Sequence, residues 1–192
     1  IGEPTPWWRT TAEVFTTLGA APNSSYFGAV DTAGFPKDKY YFYRGQWNDR
    51  DTTLHLVTAW DSDNQYLSSG RTPIWIYTNA PKVELYRRDK NNNTVKLATS
   101  TRKETATAAG HSYGTYTTTI NNGTYCQKIS TSGATALSPR VNVTYTDGSI
   151  YAIAYDESGN VIENTIGNSR VNTPGAAAKI DVYANKNEIA AD

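Results

Sequence analysis

Residues 141–155, VNVTYTDGSIYAIAY, decide the architecture. Val141 and Val143 alternate with polar neighbours, and residues 150–155 continue as a β-branched and aromatic run. Between them stands Asp147-Gly148, a pair suited to the positive φ angles of a tight turn, so the stretch predicts a β-hairpin. The same period of two extends outward. Leu54, Leu56 and Thr58 alternate with His55 and Val57, Ile74 and Ile76 with Trp75 and Tyr77, and Val83 and Leu85 with Glu84 and Tyr86. Residues 89–93, DKNNN, read as a hairpin tip before a strand over 94–100. Residues 156–160 make another turn before Val161-Ile162, and 179–184 read as a closing strand. The Thr-, Ser- and Ala-rich segment 101–139 is less regular, with one or two strands around 113–120 and long loops. Roughly seven or eight short strands in about 135 residues predict an immunoglobulin-like β-sandwich.

Composition is compatible with that body. The chain has 192 residues, with 14 Tyr, 5 Trp, no Met and abundant Thr and Asn, which favours strands and polar turns over helical bundles. Eighteen basic and eighteen acidic residues cancel, and no long block of either sign steers the chain toward nucleic acid or an anionic membrane. No apolar run approaches the roughly 18 to 20 residues of a membrane-spanning helix, and IGEPTPWW lacks the pattern of a signal peptide. The single Cys126 excludes an internal disulfide and a multi-thiolate zinc site, and reads as a buried or idle thiol.

Upstream of residue 48 the character changes. Residues 26–47, YFGAVDTAGFPKDKYYFYRGQW, join a Gly-containing loop to an aromatic helix. Pro36 suits the first helical position. Tyr40, Tyr43 and Trp47 fall at i, i+3 and i+7, one stripe that could bury against a partner, while Lys37, Tyr41 and Arg44 lie on an adjoining, wetter face. Gly45 costs about 1 kcal/mol relative to Ala, so the helix is weak toward its end and stops by Asn48.

That order of loop and helix resembles the last loop and helix of the catalytic (β/α)8 barrel in family-two glycoside hydrolases of the β-galactosidase kind. The resemblance reaches upstream to IGEPTPW at 1–7 and downstream through Trp60, residues 74–79 and residues 83–86. It implies a mainly β chain: residues 1–48 as the C-terminal end of a barrel and 49–192 as the sandwich. It also implies the last part of a retaining exo-β-galactosidase acting on terminal β-galactosides of a glycan or oligosaccharide. The remainder of the barrel would be its partner, and an extracellular or cell-surface bacterial location would follow. By the same resemblance, residues 1–4 leave the eighth barrel strand at the face where barrel enzymes build their sites. Trp7 and Trp8 are then candidates to stack on sugar rings, and Glu3 to accept sugar hydroxyls. Packing of the loop against the barrel is the competing role for all three. Asp31, Phe35 and Lys37 are expected to fix the loop and the helix cap.

Glycoside hydrolysis needs two opposed carboxyl groups, about 5 to 5.5 Å apart for retention. The family supplies them as two glutamates from earlier barrel strands, and no segment here matches their surroundings, so no catalytic residue is assigned and the chain alone is expected to be inactive. Asp49 with Asp51 and Asp61 with Asp63 read as solvated turn residues. The segment DSDNQY at 61–66 starts like a calcium loop but lacks the Gly and Glu that such a loop requires. His55 and His111 are far apart in sequence, and neither a cofactor nor a metal is expected. Two other readings compete: a carbohydrate-binding or adhesion module using Trp60, Trp75 or a row of tyrosines on one sheet face as a sugar platform, and a structural spacer in a surface protein. The aromatic helix counts against the spacer.

Overall fold

The computed structural model describes residues 28–31, 33–64, 66–107, 109–129 and 136–176. Among the described residues, one helix, α1 (Asp38–Trp47), precedes ten strands: β1 (Thr52–Val57), β2 (Arg71–Thr78), β3 (Lys82–Asp89), β4 (Thr94–Ala106), β5 (Ser112–Ile120), β6 (Cys126–Lys128), β7 (Arg140–Thr144), β8 (Gly148–Tyr155), β9 (Thr165–Ile166) and β10 (Arg170–Asn172). Sheet I has the order β6-β7-β2-β1-β9 and sheet II the order β10-β8-β3-β4-β5. Pairing is antiparallel except for β1 with β9. Four strands of sheet I in the order β1-β2-β7-β6, facing β10-β8-β3-β4-β5, reproduce the strand arrangement of a variable-type immunoglobulin sandwich.

Period-two alternation aims one set of side chains from each sheet into a shared core. Leu54, Leu56, Ile74, Ile76, Val141 and Val143 enter from sheet I, and Val83, Leu85, Leu97, Ile150, Ala152 and Ala154 from sheet II. Leu97 reaches the core through a shift of register opposite Leu85 and Tyr86, an extra residue that bends the strand locally. Trp60, in the connection after β1, is 1% exposed and tilts against Tyr145 with ring centroids 5.2 Å apart. It therefore cannot serve as a sugar platform. The Cys126 thiol is buried and free, and burial pushes its pKa up to about 12 against the opposing pull of Arg71.

Two local expectations are corrected. Asp147-Gly148 does not close a hairpin: β7 pairs with β2 and β6, and β8 with β3 and β10, so this turn carries the chain from one sheet to the other. Gly148 still needs to be glycine, because its φ is +134° and a Cβ there would collide with the Arg88 carbonyl. The segment after residue 100 is also more regular than its composition suggests, since β4 runs to Ala106 and pairs with β5 along nine residue pairs. The hairpin tip at 89–93 forms as expected: Asp89 Oδ1 accepts from the N–H groups of Asn91 at 2.8 Å and Asn93 at 2.9 Å. Val161 makes only a bridge to Tyr155, and the strand expected over 179–184 lies outside the described residues.

The outer face of sheet II holds a buried carboxylate. Glu84 is 5% exposed; its Oε1 meets Lys96 at 2.6 Å and Lys82 at 2.9 Å, and its Oε2 accepts from Tyr86 at 2.5 Å and Tyr155 at 3.1 Å. Burial alone would raise its pKa, but these four partners outweigh burial and hold it at about 2. A depressed carboxylate contributes stability that is complete above the ordinary pKa and is lost as pH falls toward the folded-state value. Acid titration of the unfolding free energy should lose on the order of 3 kcal/mol between about pH 4.3 and 2. Glu84→Gln should flatten that loss, and an unchanged acid profile in Glu84→Gln would show that the network contributes nothing.

Candidate functional site

The loop before α1 is built around Asp31. Its Oδ1 accepts from the N–H groups of Ala33 at 2.9 Å and Phe35 at 2.8 Å, and its own N–H donates to the Phe35 carbonyl at 2.9 Å. Gly34 supplies the turn's positive φ of +91°. The Lys37 N–H then donates to the Ala29 carbonyl at 3.0 Å, and Phe35 is left 68% exposed. Helix α1 starts at Asp38 with Lys37 as its N-cap, so Pro36 precedes the cap instead of occupying the first turn. The helix stops where the sequence predicts, with Asn48 as C-cap.

The side of α1 that meets sheet I includes Tyr41, which the sequence places on a wetter face. Asp38, Tyr41, Phe42 and Gly45, spaced i, i+3, i+4 and i+7, form the side set on sheet I. Tyr41 stacks on His55 with ring centroids 3.9 Å apart and planes 14° apart, and Phe42 meets Tyr77 edge-on at 5.3 Å. Gly45 is buried, and a Cβ built on it would lie 3.1 Å from the Thr78 carbonyl oxygen. The wetter face assigned to Tyr41 is thus an interface. The residue that weakens the isolated helix is the one that lets it approach the sheet.

His55 latches the junction. Its Nδ1 accepts from the Asn168 N–H at 3.1 Å, which leaves the proton on Nε2 to be donated to Asp38 Oδ1 at 2.8 Å. The imidazole therefore ties helix, β1 and the segment between β9 and β10 together. Below it, Arg44 pairs with Asp51 at 2.8 Å. Asn79 Nδ2 donates to the carbonyls of Asn48 at 3.0 Å and Asp51 at 2.9 Å, while its Oδ1 accepts from the Thr53 N–H at 2.7 Å. The sequence gives no motif for this set, because the partners come from distant segments and each residue type is ordinary in its own strand or turn.

The side of α1 turned away from His55 carries Tyr43 and Trp47. Tyr43 and Trp47 stack nearly parallel, with planes 5° apart and centroids 4.9 Å apart, yet Trp47 is 78% exposed.

Glu3, Trp7 and Trp8 lie outside the described residues. The acidic pairs belong to turns: Asp51 is engaged by Arg44, and Asp61 Oδ1 accepts from the Asp63 N–H at 3.2 Å. Glu84 is saturated by its four partners. Among the described residues no group of three or more His, Cys, Asp and Glu is placed to hold a metal ion, and no helix is long and apolar enough to cross a membrane. The tyrosine row on sheet II does not form a platform: Tyr86 and Tyr151 stack on each other at 5.4 Å, Arg170 covers Tyr151 at 4.2 Å and Lys82 covers Tyr155 at 4.4 Å. Ring faces spent on neighbours are not offered to a sugar.

A family model described as a domain of unknown function, DUF4982, matches residues 69–163, from just before β2 to just past β8. The sequence is 40% identical over 92 residues to a protein named Beta-galactosidase BoGH2A from Bacteroides ovatus, a match covering 47% of this chain and 9% of that protein. It is 42% identical over 60 residues to a putative beta-glucuronidase from Formosa agariphila, covering 31% of this chain and 6% of that protein. A second putative beta-glucuronidase of the same organism is 32% identical over 72 residues, covering 38% and 9%. The chain thus spans less than a tenth of the curated relatives it matches. The domain match and the named relatives together support a fragment of a family-two glycoside hydrolase.

The close approach at Gly45 carries the first test of the junction. Gly45→Val should cost about 1–3 kcal/mol by forcing α1 off Thr78, read as a lower melting temperature and loss of the Tyr41 ring-current shift on His55. Unchanged stability with that shift intact would show that α1 does not rest on the sheet at this point.

Proposed function

We propose that this chain is the end of the catalytic barrel and the following sandwich of a retaining exo-β-galactosidase, the sandwich bracing the barrel through α1. The observation that carries the reading is a helix latched to the sandwich on one side while the Tyr43–Trp47 stack on the other stands in solvent. A Trp so exposed at the end of an aromatic helix is an apolar surface suited to a further partner. The barrel that the sequence resemblance implies would bury it. The β-galactosidase name of the Bacteroides relative supports the sugar class. The putative β-glucuronidase names of the others make glucuronides the comparison substrate.

In this reading the acid/base and the nucleophile are glutamates of earlier barrel strands, and the chain contributes Trp7, Trp8 and Glu3 at the mouth of the site. Hydrolysis retains configuration by way of a glycosyl-enzyme intermediate. The parent acts outside the cell or on its surface.

The chain alone should leave chromogenic β-galactosides and β-glucuronides untouched, and mixing it with a separately produced upstream barrel segment should restore galactoside turnover. Trp47→Ala should change the stability of the isolated chain by less than about 0.5 kcal/mol, yet lower the restored turnover at least about tenfold through weaker assembly. Hydrolysis by the chain alone, or full restoration by Trp47→Ala, would contradict the reading. Restored turnover faster on glucuronides would replace its substrate.

A further inference from the structure

On the outer face of sheet I, α1 covers the end around His55 and Tyr77. Beyond Asp38 lies a cleft of about 720 Å³, with Asp38, His55, Val57, Tyr66, Trp75 and Asn168 among its described lining residues. Such a volume lies within the range of small-ligand sites, roughly 300–1,000 Å³. Val57 and Trp75 are cross-strand partners in β1 and β2, so the indole stands on the sheet beside an apolar neighbour. Arg140, its cross-strand partner on β7, lies over one face of the Trp75 ring at 4.5 Å. Tyr66, from the connection between β1 and β2, is 61% exposed.

The polar groups are held in place. Asp38 has a side chain 60% exposed, and one of its oxygens is fixed by His55, whose ring is itself fixed by Asn168 and the Tyr41 stack. A carboxylate held this way can accept ligand hydroxyls without an ordering cost. No Lys or Arg is among the described lining residues. Aromatic rings and a fixed acceptor, with no cation among the described lining residues, suit a neutral polyhydroxylated ligand better than an anionic one.

We infer that this cleft is an accessory binding site for a neutral sugar, with Trp75 and Tyr66 as the stacking surface and Asp38 as a hydroxyl acceptor. It does not rest on the barrel reading, since every group it uses lies in the described part of this chain.

The test is a ¹H–¹⁵N NMR titration of the 192-residue chain with lactose, cellobiose and methyl β-glucuronide. Lactose or cellobiose should shift the Trp75 indole N–H and the Asn168 amide, and bind more tightly than the glucuronide. Tyr66→Ala and Trp75→Ala should each weaken binding about tenfold, the loss expected for about 1.4 kcal/mol of aromatic contact. Tyr66→Ala, at an exposed position, keeps the test decisive if Trp75→Ala fails to fold. Absence of shifts at these positions with either neutral sugar, tighter binding of the glucuronide, or undiminished binding by Tyr66→Ala would each overturn the inference.

Discussion

The seat of α1 on sheet I governs how this chain can be used. A ten-residue helix is too short to persist in water on its propensity alone, and this one carries a glycine two residues before its end. Gly45 against the Thr78 backbone, Tyr41 on His55 and Phe42 on Tyr77 replace what propensity cannot supply. The His55 ring, held between a backbone N–H and a carboxylate, fixes the rotation of the helix about its own axis. That rotation decides which aromatics are consumed by the sandwich and which remain outside.

Much of the sandwich was legible as period-two alternation bounded by turn residues, because inward and outward positions differ chemically along β1, β2, β3 and β8. What alternation cannot encode is which strands pair. Asp147-Gly148 has the residues of a hairpin turn but serves as a crossing between sheets, since the hydrophobic sets of β7 and β8 face each other across the core. The helix shows the same limit. Its end at Asn48 follows from the sequence, whereas it starts two residues later than Pro36 suggests and the side that meets the sheet carries no apolar stripe to announce it. The buried side contains Asp38 and Gly45, which read as first-turn charge and weak point until Thr78 and His55 are brought against them. Trp60 could be offered as a platform aromatic in one competing reading because its connection carries no pattern, and the structure places it in the core.

Aromatic residues here divide by what their faces touch. On sheet II, Tyr86, Tyr151 and Tyr155 are stacked with each other or with cations over Glu84, which makes that face a stabilising network and removes it as a recognition surface. On sheet I, Trp75 and Tyr66 border a cleft, and on α1 Tyr43 and Trp47 form an outward pair. Of the described carboxylates, Glu84 is held in the sheet II network, Asp38 in the His55 latch, and Glu104 by Arg102 on β4.

The most direct test of the account is native-state hydrogen exchange on α1. If the helix is latched as described, the amides of its second half should exchange together with those of β1 and β2, at rates set by opening of the sandwich. Exchange of those amides at unfolded-chain rates, with β1 and β2 still protected, would contradict it.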